Sequence, residues 1–199
     1  MAHPVRRYYT VAGLPVRTPR FRSEPAGRQP PGAVPESFVY YGEEFMYKHI
    51  VIAIDGSKTS LHALKQACAL VQGTGAKLTL VHVANPAEYV ATIAPEFLQY
   101  ENYETAATEQ GNAILDAAEK QARSVLGENA QIGRHLLVIS KNVRDMAKSL
   151  VDYAAEQHGD LLVLGTHGRT GLMHLLMGSF AETVMRETRL PLLIIRREG

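Results

Sequence analysis

From Met46 onward, short apolar runs alternate with longer segments of helical period. Ile50 to Ile54 is a continuous apolar run, the pattern of a strand buried on both faces. Asp55-Gly56-Ser57 ends it with turn chemistry, and Ser57 is placed to cap a helix running through about Val71. Gly73-Thr74-Gly75 stops that helix. Lys77 to Val83 predicts a second strand, and residues 84–99, with Pro86 and Pro95, predict a long loop. Tyr103 to Leu126 reads as a helix ending at Gly127, and His135 to Ile139 as a third strand. Val143 to Gln157 follows as a helix with Met146, Leu150, Tyr153 and Ala154 on one face. Leu161 to Leu164 and Leu192 to Ile195 supply the fourth and fifth strands, with a helix-like segment, Phe180 to Thr188, between them. Such alternation predicts an α/β fold: a parallel sheet with helices on both faces.

Residues 1–45 differ from everything after them. They hold seven of the ten prolines and six arginines, with no lysine. The prolines break any helix longer than a few turns, and little there repays the entropy of folding. The division expected is therefore 1–45, a Pro/Arg-rich extension, and 46–199, one folded domain. The extension reads as disordered or loosely wrapped. Its arginines would suit RNA or an acidic surface, but a solvated tail is the simpler reading. Residues 1–23 carry five arginines and no acid, as a mitochondrial presequence would, yet the prolines oppose the amphipathic helix it needs. Met46 also opens a natural first strand, so the upstream segment reads equally as a start-site artefact.

Composition narrows the classes. Apolar residues make up 46% of the chain and the formal charge is +1, so a real core is affordable and no global field points to nucleic acid. The single cysteine, Cys68, sits among Leu61, Leu64 and Val71 and reads as a core thiol. No apolar run reaches the ~18 residues of a membrane span. The N-terminus lacks the apolar centre of a secretory signal. A cytoplasmic protein, without membrane partners, is the expectation.

The strongest chemical signal lies after the fourth strand. Gly165-Thr166-His167-Gly168, nine further residues, then Gly178-Ser179 precede the last helix. Glycines let a backbone turn sharply and approach a ligand, and a helix start offers free N–H groups and a favourable dipole to an anion. Strand, glycine turn, loop, glycine-serine and helix together predict a phosphate cradle. Asp55 meets Gly165 across one crevice if the first and fourth strands are neighbours. Its carboxylate would then accept from a ribose hydroxyl or a base, or would serve only as an Asx turn. His167 lies within the glycine turn, while His82 reads as structural. No Gly-Lys-Ser or Gly-Lys-Thr of a Walker loop occurs, and the glycines do not follow the first strand as a dinucleotide fingerprint would. No zinc spacing, Ser-His-Asp arrangement or nucleophile elbow is visible. No catalytic residue is therefore assigned.

Asp-Gly-Ser after strand one, His82-Val83 closing strand two, and Gly165-x2-Gly168-x9-Gly178-Ser179 resemble the universal stress protein family over about Met46 to Arg197. The last motif is similar to that of the family's ATP-binding branch. The resemblance implies a Rossmann-like fold of the adenine nucleotide alpha-hydrolase-like kind, with five parallel strands in the order 3-2-1-4-5. It implies ATP as ligand, with magnesium as its optional companion, and a homodimer paired through the Pro191 to Arg196 edge strand. Ala53 and Asp55 would approach the adenosine end, and Val83 would pack on adenine. Leu164, Gly165, His167 and Gly168 would line the ribose and phosphate side. Gly178, Ser179, Phe180 and Ala181 would hold the phosphates. Ala181 stands where family members offer a threonine hydroxyl, and Ser140 and Asn142 replace a glycine and a proline common after strand three. The function implied is a nucleotide-dependent stress-response regulator. The alternatives are a slow ATPase, for which His167 is the candidate base, and a dimeric interaction protein without nucleotide.

Overall fold

The computed structural model describes residues 47–87, 100–166 and 177–196. The extension 1–45, most of the expected loop 84–99, and His167 and Gly168 lie outside the described residues. The elements are β1 (His49–Ala53), α1 (Lys58–Thr74), β2 (Lys77–Ala84), α2 (Tyr100–Leu126), β3 (Ile132–Val138), α3 (Val143–Glu156), β4 (Leu161–Gly165), α4 (Ser179–Glu187) and β5 (Leu192–Ile195). The sheet is parallel throughout and ordered β3-β2-β1-β4-β5.

Alternating residues of each strand feed two separate cores. Ile50, Ile52, Leu78, Leu80, Leu161 and Val163 pack with α1 and α2 on one face. Val51, Val81, Leu162 and Leu164 pack with α3 and α4 on the other. The central strands are buried on both faces, which is why they read as unbroken apolar runs. No helix among the described residues is long and apolar enough to cross a membrane.

Several boundaries differ from the sequence expectation, three of them with a plain physical reason. β3 begins at Ile132, not His135, because its ladder with β2 starts at Leu78–Ile132 and continues through Gly133 and Arg134. β3 is an edge strand, so Arg134 projects to solvent and hides the strand from an apolar count. β1 starts at the polar His49, and Ile54 lies just past its end, although the Ile54 N–H still donates to the Val81 carbonyl at 2.8 Å. α4 spans Ser179–Glu187, one residue earlier than Phe180 to Thr188, with Gly178 as its cap.

The amino ends of β1 and β4 are tied by polar groups. The Asp160 carboxylate accepts from the Lys48 and His49 backbone N–H groups at 2.7 and 3.0 Å. Just before it, α3 closes through bonds from the His158 N–H to the Ala155 carbonyl and from the Gly159 N–H to the Ala154 carbonyl. His49 is buried there; its Nδ1 lies 3.0 Å from the Gln157 carbonyl and its Nε2 2.7 Å from Thr79 Oγ1. A carbonyl only accepts, so Nδ1 carries the proton and neutral Nε2 accepts from the Thr79 hydroxyl.

Burial, with the Lys77 charge adding to it, holds His49 below its ordinary value near 6.5, against opposing pulls from the Gln157 carbonyl and Asp160. The unfolded chain therefore takes up this proton first. Stability from neutral His49 is complete above pH 6.5 and is lost as the pH falls from there through the lowered folded value. Urea unfolding from pH 8 to pH 5 is expected to show wild type losing stability faster than His49→Asn. The extra slope is at most about 1.4 kcal/mol per pH unit for one proton. Parallel curves for the two proteins would refute the assignment.

Candidate functional site

The carboxyl ends of β1, β2 and β4 meet at the point where the order of connection reverses, between β1 and β4. Ligands of open α/β sheets bind there. The pairing Ile52–Val163 puts Ala53 beside Leu164 at the tips of these strands, and Val83 stands one strand over on β2.

The β1–α1 turn is built by Asp55, Gly56, Ser57 and Ser60. Gly56 has φ +79°, a left-handed conformation that explains its glycine. Asp55 Oδ1 accepts from the Ser57 N–H at 2.9 Å, and Ser57 Oγ accepts from the Ser60 N–H at 3.1 Å, capping α1. The buried Ser60 hydroxyl donates to the Ser57 carbonyl at 3.0 Å and accepts from the Asp55 N–H at 3.4 Å. Asp55 thus does make the Asx turn. Its Oδ2 takes no part in that bond and is the oxygen it would offer a ligand. Ser60 escaped the sequence reading, although Ser57-x-x-Ser60 has the spacing of a reciprocal cap.

Gly165 ends β4. A Cβ there would stand 2.8 Å from Thr59 Cγ2 and 3.3 Å from the Thr59 backbone carbon, so this glycine serves the close approach of α1 to β4. Thr166, also passed over in the sequence, fastens the next step on both sides. Its N–H donates to the Ile195 carbonyl at 2.9 Å, and its carbonyl accepts from the Gly178 N–H at 2.8 Å. That second bond brings the start of α4 to the end of β4.

The three helix starts next to these strands are not equivalent. Ser57 caps α1, and Asn142 caps α3 by accepting from the Asp145 N–H at 3.0 Å while donating to the Asp145 carboxylate at 3.1 Å. The Asn142 that departs from the family pattern therefore closes α3 upon itself. α4 is capped by Gly178, which has no side chain to accept from it, so the Ser179, Phe180 and Ala181 N–H groups have no intrahelical partner. Those donors and the helix dipole face the region beyond β4. Glu182, in the same turn, is drawn to Arg186 by an ion pair of 2.6 Å.

Gly178 has φ −76° and ψ 153°, extended backbone open to any residue, so its role is not a positive φ. Leu164 and Ala181 turn their side chains into the core, so each has only its backbone to offer a ligand, and Ala181's missing hydroxyl concerns a buried position. Ala53, Val83 and Phe180 are half-buried against the same α3/α4 core. Ser179 is exposed. The described residues hold no group of three or more His, Cys, Asp or Glu side chains able to bind a metal.

Comparison with known proteins places this architecture. The pattern of the universal stress protein family matches residues 46–196. Universal stress protein MJ0531 of Methanocaldococcus jannaschii is 30% identical over 161 residues, covering 81% of this chain and 88% of that protein. The structure of MJ0577 is similar at 25% identity with a TM-score of 0.63, covering 77% of this chain and 99% of that one. A universal stress protein solved in complex with cAMP is 27% identical, with a TM-score of 0.52 over 75% of this chain and 97% of that one. With the strand order, the reversal point and the sequence in agreement, this chain belongs to the universal stress protein family.

Proposed function

We propose that this chain is a cytoplasmic, nucleotide-dependent stress regulator that binds ATP at the carboxyl ends of β1, β2 and β4. The observation that carries the reading is the start of α4: three N–H donors behind a glycine cap, fastened by Gly178 to Thr166 beside the Asp55 turn. Phosphates suit those donors, a ribose or base suits the Asp55 Oδ2, and the apolar wall of Ala53 and Val83 suits adenine. Without a protein metal cluster among the described residues, magnesium would enter on the nucleotide's own phosphates. The related protein solved with cAMP supports an adenine nucleotide and also favours a second reading, in which a monophosphate is the preferred ligand.

Calorimetric titration with ATP, AMP and cAMP tests both readings. Micromolar or tighter binding of ATP, with the other two weaker, is expected. Tighter cAMP or AMP binding would transfer the assignment to the monophosphate, and no binding of any of the three would refute the nucleotide reading. Asp55→Asn keeps the Oδ1 acceptor of the turn but loses the charge, whereas Asp55→Ala loses both. A ligand role predicts that each weakens ATP about tenfold or more, since a hydrogen bond to a charged group contributes about 1.5–3 kcal/mol. A purely structural role predicts wild-type affinity for Asp55→Asn.

A further inference from the structure

We infer that His82 is a positioning residue of this site, setting the orientation of Asp55 from behind the sheet; the inference rests on the nucleotide reading above. His82 follows Leu78 and Leu80 along the α1/α2 face of β2, opposite Val83, and is 2% exposed. Its Nδ1 lies 2.6 Å from the Ile54 carbonyl. That carbonyl only accepts, so Nδ1 carries the proton and donates. The bond is made just beyond the last registered β1–β2 pair, Ala53–Val81.

The Ile54 carbonyl and the Asp55 N–H are the two ends of one peptide plane. His82 holds the carbonyl end and the Ser60 hydroxyl receives from the N–H end at 3.4 Å. The preceding Ile54 N–H is held by the Val81 carbonyl. Two side chains therefore hold the peptide plane that leads into Asp55, and a backbone acceptor holds the plane before it. A leucine at 82 would fill the space but leave a carbonyl beside a buried site without its donor.

α2 is built to admit the imidazole. Gly111 lies inside this helix, where glycine is unfavourable. A Cβ at 111 would stand 3.0 Å from His82 Cδ2 and 2.5 Å from Leu136 Cδ1. The missing side chain lets α2 lie directly over His82.

The test compares His82→Leu, His82→Asn and Gly111→Ala with wild type by two readouts: ATP affinity by calorimetry, and amide hydrogen exchange at Asp55 and Ser57. Asparagine places an N–H donor near the position of Nδ1. His82→Leu is expected to weaken ATP about tenfold and to speed exchange at Asp55 and Ser57 by a similar factor. Exchange at Leu162 and Thr166 of the β4 side should stay as in wild type. His82→Asn should restore most of both effects, which a role in packing alone would not produce. Gly111→Ala, by pressing on the ring, should loosen the same two amides. Wild-type exchange at Asp55 and Ser57 in His82→Leu would overturn the inference. Should that variant not fold, wild-type exchange in Gly111→Ala would overturn it. If wild-type protein binds no ATP, the nucleotide reading fails alone, because the exchange measurement still decides whether His82 holds the turn.

Discussion

Replacing Gly178 by valine is expected to abolish ATP binding in a protein that still folds. At φ −76° and ψ 153° a β-branched residue sits without strain. The bond from the residue-178 N–H to the Thr166 carbonyl is unaffected by a side chain. Valine caps a helix less well than glycine, which costs on the order of 1 kcal/mol and a few degrees in Tm. The two methyl groups would stand at the entrance to the Ser179, Phe180 and Ala181 N–H groups and keep phosphates from them. A loss of at least about a hundredfold in affinity, about 2.7 kcal/mol, is the expected result. Gly178→Asp sharpens the test. Its carboxylate would cap those donors in place of phosphate, so it should raise Tm while removing ATP binding. Wild-type affinity in folded Gly178→Val protein would sink the cradle.

The sequence revealed those parts of this architecture whose causes are local. Ile50 to Ile54 read as a doubly buried strand because a parallel sheet covered on both faces needs apolar residues on each side. Asp55-Gly56-Ser57 read as a turn and cap because left-handed backbone at Gly56 and a hydroxyl at Ser57 are requirements of adjacent residues. The first residues of β3 were hidden because Gly133 and Arg134 owe their place to backbone pairing with β2, to which side-chain pattern is blind. His82 and Gly111 were opaque for the same reason on a longer scale. The imidazole meets a carbonyl 28 positions away, and the glycine answers to a ring on another element. Gly165 and Gly178 stood out as glycines of one cradle, a turn after the fourth strand and a helix start beyond a nine-residue loop, but their neighbours were not legible. One admits Thr59 of α1, and the other leaves a helix start without a side-chain cap.

Substituting proline for Ile194 is expected to convert a dimer into a monomer while leaving the protomer folded. Among the described residues β5 is an edge strand, paired only with β4. The Pro191 and Ile195 carbonyls accept from the Leu162 and Thr166 N–H groups, so the odd-numbered residues of β5 face the ladder. Leu192 and Ile194 register directly opposite Leu162 and Leu164, which in a parallel ladder turns their own N–H and C=O groups outward. All four β5 side chains are apolar and only half-buried, with Leu193 and Ile195 against one core and Leu192 and Ile194 against the other. An apolar edge with open backbone groups is a template for another strand, and two copies related by a two-fold axis would satisfy each other. Proline at 194 removes an outward N–H and no ladder bond, the one arrangement in which an edge strand tolerates it. Leu193→Pro is the control. It removes a donor to β4 and should cost about 1–3 kcal/mol of fold stability, whatever the state of assembly. Light scattering at micromolar concentration reads the result: a dimeric wild type with a monomeric, folded Ile194→Pro supports pairing through β5. A variant that stays dimeric moves the interface elsewhere, and a monomeric wild type removes the dimer altogether.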